Sequence, residues 1–168
     1  MDELFESLKS IAMKILTPRE ARDKIQRYCA YQERSHREVR NKLYGFGLYR
    51  KDVDEIISDL ITDGFLNEER FAKAFAGGKF RMKKWGRIKI SHALEAKGVS
   101  QNCIRIGLKE IEEASYVTSL RELLTQKSQS LEPDNVYVLR DRLSKYLIQK
   151  GYEPEIVWKE INDLLPKK

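Results

Sequence analysis

The sequence predicts an all-α fold built as an elongated tandem array of three three-helix repeats, preceded by an extra amphipathic helix. Three observations carry that prediction. The outline Leu, three residues, Gly, apolar residue occurs three times, as LYGFGL at 43–48, LEAKGV at 94–99 and LIQKGY at 147–152. Apolar residues flank each glycine at helical offsets on both sides. With only four prolines, 35% charged residues and a mean hydropathy of -0.59, the chain has the composition of a helical protein with solvated faces.

Each phrase reads as a helix stop. In a Schellman ending a left-handed glycine terminates the helix, and the next residue packs back on the one five before it. Val99 then meets Leu94 across Gly98, Tyr152 meets Leu147 across Gly151, and Leu48 meets Leu43 across Gly47, with Gly45 as a competing stop in the first phrase. The glycines are 51 and 53 residues apart, and the flanks align without a gap. Eight residues before them stand Val39, Ile90 and Leu143, and four before stand Leu43, Leu94 and Leu147. Six after stand Val53, Ile104 and Val157; ten after, Ile57, Leu108 and Ile161; thirteen after, Leu60, Ile111 and Leu164. A long internal period of this kind marks a repeat protein.

The elements follow in order. Leu4, Leu8, Ile11 and Ile15 mark one face of a leading helix at 1–16. The first repeat, 17–66, opens with TPRE, where Thr17 caps, Pro18 takes the first helical position and Glu20 closes a capping box, turning Ile25 and Cys29 inward. A second box, Ser35 with Glu38, opens the helix that ends at Gly47. The second repeat, 67–113, is capped by Asn67 and carries Phe71 and Phe75 on one face. The third, 114–168, contributes Val117, Leu120 and Leu124, and its polar stretch TQKSQSLEPDN at 125–135 reads as a loop and hinge around Pro133. Units of roughly 50 residues bury too little surface alone, so neighbours are expected to pack.

Charge is banded. Net charge is +6 with a pI near 9.2, which favours acidic partners such as nucleic acid. Residues 52–69 hold seven acids and no base, whereas 79–89 hold six bases and no acid. Solvated helix faces account for such bands as readily as a nucleic-acid footprint does. No apolar run is long enough to span a bilayer, and the acidic start lacks a secretory cleavage pattern. A cytoplasmic location is expected, with Cys29 and Cys103 as reduced thiols. There is no P-loop, GxGxxG, paired CxxC or HExxH, and His36 and His92 stand alone, so no catalytic, metal or cofactor residue is assigned and the chain is expected not to be an enzyme.

The most informative segment is RMKKWGRIKISHALEAKGV at 81–99. Trp85 precedes the cap Gly86 and faces Ile90 in the pattern of a hydrophobic staple. Arg87 and Lys89 fall in the first turn of that helix, where the macrodipole disfavours cations by about 0.3–1 kcal/mol each. Either they serve recognition or nearby acids offset them. Arg81, Lys83, Lys84, Arg87 and Lys89, with Arg34, Arg37 and Arg40 of the preceding repeat, form the expected contact belt.

At these residues the chain resembles a known family. DGFLNEERFAKAFA at 63–76 followed by WGRIKISHALEAKGV at 85–99 is similar to the central signature of the RecX family of bacterial recombination regulators. CAYQERSHREVRNKL at 29–43 resembles its N-terminal repeat, and LRDRLSKYLIQKGYEPEIVWKEI at 139–161 its C-terminal one. The resemblance implies a non-enzymatic, monomeric modulator, most often an inhibitor, of the RecA recombinase. Such a protein lodges in the groove of the RecA–DNA filament and restrains ATP hydrolysis, strand exchange and coprotease activity, with DNA contacted mainly through the filament and no membrane involved. The positions matching its motifs, Trp85, Gly86, Arg87, Ile88, Leu94 and Gly98, are at least partly architectural. The rival reading is a DNA-binding protein that acts without RecA, since SHREVRNKLYGFGLYRKDVDEII has the outline of a helix-turn-helix. Against it, Asp52, Asp54 and Glu55 stand where a recognition helix would approach phosphates.

Overall fold

The computed structural model describes residues 15–132 and 135–165; the helix expected at 1–16 lies outside them except for Ile15 and Leu16. Nine helices and no strand occur among the described residues: α1 Pro18–Tyr31, α2 His36–Gly45, α3 Arg50–Thr62, α4 Glu68–Lys83, α5 Arg87–Ala96, α6 Gln101–Leu108, α7 Glu113–Gln129, α8 Val136–Gln149 and α9 Pro154–Leu164. They fall into three consecutive three-helix repeats, as the glycine spacing predicts. Two compact units divide the chain, Met1–Phe71 and Ala72–Lys168.

Local chemistry starts the helices. Thr17 Oγ1 accepts the Glu20 N–H while the Glu20 carboxylate accepts the Thr17 N–H at 2.9 Å, and Ser35 with Glu38 repeats the exchange. Asn67, Ser100 and Asn135 cap α4, α6 and α8 with single side-chain bonds. The stops are as expected: Gly47, Gly98 and Gly151 have φ of 82°, 76° and 95°. Val99 N–H reaches the Leu94 carbonyl and Tyr152 N–H the Leu147 carbonyl, both at 3.2 Å, which closes two Schellman motifs in full. Gly64, which carries no repeated phrase, also adopts a left-handed φ of 77° at the end of α3.

In the first unit Leu16, Ala21, Ile25 and Cys29 pack with Val39, Leu43, Val53, Ile57 and Leu60 in one apolar core. In the second, Ile90, Leu94, Ile104, Leu143, Leu147 and Val157 are buried at the predicted offsets. Two predicted core positions are more open: Leu108 is half-buried, and Leu164 is 45% exposed. Tyr116, one residue before the predicted Val117, is the fully buried side chain that starts the α7 face.

One expectation is corrected. The stretch read as a loop at 125–135 is helical through Gln129; of its described residues only 130–132 and 135 lie outside a helix, and the hinge expected at Pro133 falls outside the described residues. Thr125, Gln126 and Lys127 extend a helix already fixed by buried Leu120, Leu123 and Leu124, so tertiary packing overrides the polar composition.

Two predictions arise from the first unit. Burial pushes the Cys29 thiol up to about 11, so almost none of it is thiolate near neutrality. Cys29 is expected to resist alkylation at mildly alkaline pH in the native chain and to react once urea unfolds it, as peptide mass mapping will read. Arg40 donates to Asp54 at 2.5 Å, joining α2 to α3, and this bond holds the Asp54 carboxyl below its ordinary range. A lowered folded value stabilises the fold above the ordinary carboxylate range, and that contribution is lost as pH falls through the lowered value. Asp54→Asn should therefore flatten the acid limb of a urea-denaturation pH series.

Candidate nucleic-acid and filament interface

The basic segment of the second unit is built by a helix end and a helix start. α4 ends at Lys83, and Lys84 then adopts a left-handed φ of 54°, the one described non-glycine residue with positive φ. A lysine in that conformation costs about 1 kcal/mol relative to glycine. The turn leaves Arg81 and Lys83 exposed and Lys84 partly so, and none of the three makes an ion pair among the described residues. Trp85 is half-buried and has two ammonium groups near its ring, with Lys89 Nζ 4.8 Å and Lys79 Nζ 5.1 Å from the centroid. Lys79 Nζ also lies 5.3 Å from the centroid of the Phe75 ring, and Lys97 Nζ lies 5.7 Å from it. The result is a surface in which cations alternate with aromatic faces, the chemistry that pairs phosphates and stacks bases.

Arg87 stands apart from this surface. Its backbone N–H donates to the Tyr116 hydroxyl at 3.0 Å, and its guanidinium lies 4.0 Å over the Tyr116 ring and pairs with Glu113 at 2.5 Å and Glu153 at 3.7 Å. Tyr116 in turn donates its O–H to Glu153 at 2.5 Å. Burial pulls the Arg87 guanidinium down, but the Glu113 bond and the charges of Glu113 and Glu153 outweigh it and hold it above the ordinary arginine value. Burial, then the bond to Glu153, push the Tyr116 phenol well up. For Arg87, of the two readings left open by the sequence, the structure supplies the offsetting acids.

The start of α5 explains the architectural residues. Gly86 caps without a side chain, and its N–H donates to the Lys150 carbonyl at 2.9 Å while Ile88 N–H donates to Gly151 at 3.0 Å. The amino end of α5 thus abuts the carboxyl end of α8, so opposite ends of two helix dipoles meet and the orphan N–H groups are satisfied by orphan carbonyls. A Cβ on Gly86 would lie 2.1 Å from the Gly151 carbonyl, and one on Gly151 would lie 2.3 Å from Lys89 Cβ. Both glycines are there for close approach. Ile90 and Leu94 hold the buried face of the same helix.

In the first unit the predicted arginines are engaged differently. Arg34 stacks on Tyr28 with its guanidinium 3.9 Å from the ring, Arg40 is bonded to Asp54, and Arg37 is exposed on α2. Lys42 lies 5.7 Å from both Tyr28 and Phe46. Counting back from the glycine anchors shows a correspondence that the apolar alignment passed over. Tyr28 and Lys79 both stand nineteen before, and Arg34 and Trp85 both thirteen before. Lys42 and Tyr146 both stand five before, where Tyr146 has Lys127 and Lys150 at 5.2 and 5.7 Å. Cation and aromatic exchange places from repeat to repeat, so a search for identical residues misses the pairing. Tabulating both classes together against the period finds it.

Among the described residues no cluster of His, Cys, Asp and Glu is placed to hold a metal, and no helix is long and apolar enough to cross a membrane.

Known proteins share this arrangement. Residues 67–108 match the sequence model of the second three-helix domain of RecX. The chain is 27% identical over 137 residues to the regulatory protein RecX of Clostridium acetobutylicum, covering 79% of this chain and 61% of that protein. It is 23% identical over 130 residues to that of Bacillus cereus strain B4264, covering 77% and 48%. With the regulatory protein RecX of Prosthecochloris aestuarii it shares 25% over 138 residues, 82% of this chain and 89% of the other. The match thus spans about half to three-fifths of the first two relatives. The crystal structure of RecX from Lactobacillus salivarius superposes with a TM-score of 0.80 at 21% identity, covering 88% of this chain and 96% of that one. With its central repeat matched by the second three-helix domain of RecX, its wider sequence similar to RecX proteins from several bacteria and its fold shared with a RecX crystal structure, the chain is similar to the regulatory proteins of the RecX family.

Proposed function

We propose that this chain is a non-enzymatic modulator of the RecA recombinase that engages the RecA–DNA filament and restrains its ATP hydrolysis, strand exchange and coprotease activity. The observation that supports this reading most directly is the turn at Arg81–Lys84. Three cations stand there without an acidic partner among the described residues, one of them in a backbone conformation that glycine or asparagine would adopt at lower cost. Strain kept beside an uncompensated charge cluster is expected where a partner supplies the missing charge. A filament of protein and nucleic acid offers acidic and phosphate surfaces in a regular array, and a repeat protein offers cation–aromatic patches at a matching kind of regularity.

In this reading Arg81, Lys83, Lys84 and Lys89 make the principal contacts, Trp85 and Lys79 flank them, and Arg34 and Arg37 add contacts from the first unit. Arg87 holds the third repeat against the second. The testing experiment is ATP hydrolysis by RecA on single-stranded DNA, titrated with this chain from substoichiometric amounts. The rate is expected to fall well below one chain per RecA protomer. An unchanged rate, together with no detectable binding to the filament, would overturn the proposal, and duplex binding with a strong sequence preference would favour the independent DNA-binding reading.

A further inference from the structure

Two consecutive glycines, Gly77 and Gly78, stand in the interior of α4, where glycine weakens a helix because it gives the unfolded chain more freedom to lose. Only the first has a reason inside the molecule. A Cβ on Gly77 would lie 2.7 Å from Arg81 Nη1 and 3.4 Å from Arg81 Cζ, so the missing side chain lets that guanidinium fold back against the helix. Gly107 in α6 is explained in the same way, since its Cβ would lie 2.7 Å from the Ala72 carbonyl oxygen. A Cβ on Gly78 would meet nothing within 4 Å, and it is the one helical glycine of the second unit without such a neighbour.

Residues three and four apart are neighbours on a helix surface, so Arg81 and Met82 both border Gly78. Met82 is 79% exposed, and no other large non-aromatic apolar side chain among the described residues is as open to solvent. The result is a notch. Its floor is the α4 backbone at Gly78, and its flanks are a guanidinium without an ion pair among the described residues and an unburied thioether.

We propose that this notch docks an acidic segment of a protein partner, which sets an apolar side chain against Gly78 and Met82 while a neighbouring carboxylate pairs with Arg81. The assignment rests on the proposed function and deepens it, because it gives this face to the protein component of the filament rather than to its phosphates. Phosphate contacts use charge and hydrogen-bond donors, and neither a missing Cβ nor a thioether serves them. Methionine and arginine are enriched at protein interfaces, and the unbranched methionine chain adapts to an irregular apolar partner. Charge complementarity supplies the acidic character. Lys83 and Lys84, like Arg81, make no ion pair among the described residues, and residues 79–89 contain no acid, so the opposite charges must come from the partner.

The test uses two variants that leave the charge unchanged. Gly78→Leu fills the notch, and Met82→Gln replaces the thioether by an amide of the same length. Both introduced residues are good helix formers, so each variant is expected to match or exceed the unmodified urea midpoint. Gly78→Ala takes the place of Gly78→Leu if the larger side chain lowers that midpoint. Binding is read on immobilised single-stranded DNA, bare and coated with RecA. Both variants are expected to bind the coated strand at least about fivefold more weakly than the unmodified chain, and to leave binding to the bare strand unchanged. Undiminished binding of either variant to the coated strand would overturn the notch and leave the proposed function standing. Equal losses on bare and coated strands would overturn it too, by giving the face to nucleic acid. If the unmodified chain fails to bind the coated strand at all, the proposed function falls, and this assignment of the partner with it.

Discussion

Gly86→Ala is expected to be the most damaging single-methyl change in the second unit. The added Cβ would lie 2.1 Å from the Gly151 carbonyl carbon and oxygen and 2.3 Å from the Tyr152 nitrogen, all main-chain atoms that no rotamer change can move aside. Relief requires separating α5 from the end of α8, which breaks the Gly86 and Ile88 hydrogen bonds and pulls Arg87 away from Glu113, Glu153 and the Tyr116 ring. Overpacking of this kind costs about 1–3 kcal/mol, and loss of the two backbone bonds adds roughly 1 kcal/mol each. Both tryptophans, Trp85 and Trp158, belong to the second unit, so fluorescence-detected urea unfolding reads this unit specifically. The matched control is Gly78→Ala within α4, where a Cβ would meet nothing within 4 Å; it should stabilise by about 0.5–1 kcal/mol through helix propensity. Equal midpoints for the two variants would refute the close-approach account.

Reversing Arg81, Lys83 and Lys84 together to Glu should abolish most filament engagement while leaving the fold intact. These side chains make no ion pair among the described residues, so their reversal breaks no internal pair. The change replaces three positive charges with three negative ones at a single turn, and the expected loss in affinity is roughly tenfold or more, with a shallower salt dependence of what binding remains. Arg87→Glu is expected to behave differently, because it would place a third carboxylate beside Glu113 and Glu153 and lower the unfolding midpoint. Comparing the two in the ATP-hydrolysis titration and in urea separates a contact residue from a joint residue. If the triple variant inhibits as the unmodified chain does, the proposed belt is elsewhere.

The parts of this molecule that obey short-range rules were legible in the sequence. Thr17–Glu20 and Ser35–Glu38 form their capping boxes because four residues suffice to make one, and Gly98 and Gly151 end their helices because six residues define a Schellman turn. Apolar offsets placed Val39, Ile90 and Leu143 in the core because a helix has one buried face. What escaped depends on partners far along the chain. The acids that settle Arg87 stand 26 and 66 residues away, and the carbonyl that makes glycine necessary at position 86 belongs to residue 151. The reach of α7 to Gln129 escaped for a related reason, since its polar last turn is held by buried leucines earlier in the same helix. Of the candidate interface, the charge band was visible, but the alternation of lysine with Trp85 and Phe75 depends on the angle between α4 and α5.

The joint between the second and third repeats is made mainly by backbone groups. Two N–H donors, two carbonyls and two glycines define it, with Arg87 and Tyr116 bracing it from one side. Main-chain atoms are the same whatever the side chains, so such a joint tolerates wide change in the residues around it provided the glycines stay. A scaffold joined in this way is free to be rewritten on its surface, one repeat at a time, and a fold shared at a TM-score of 0.80 with only 21% identity is what that freedom permits.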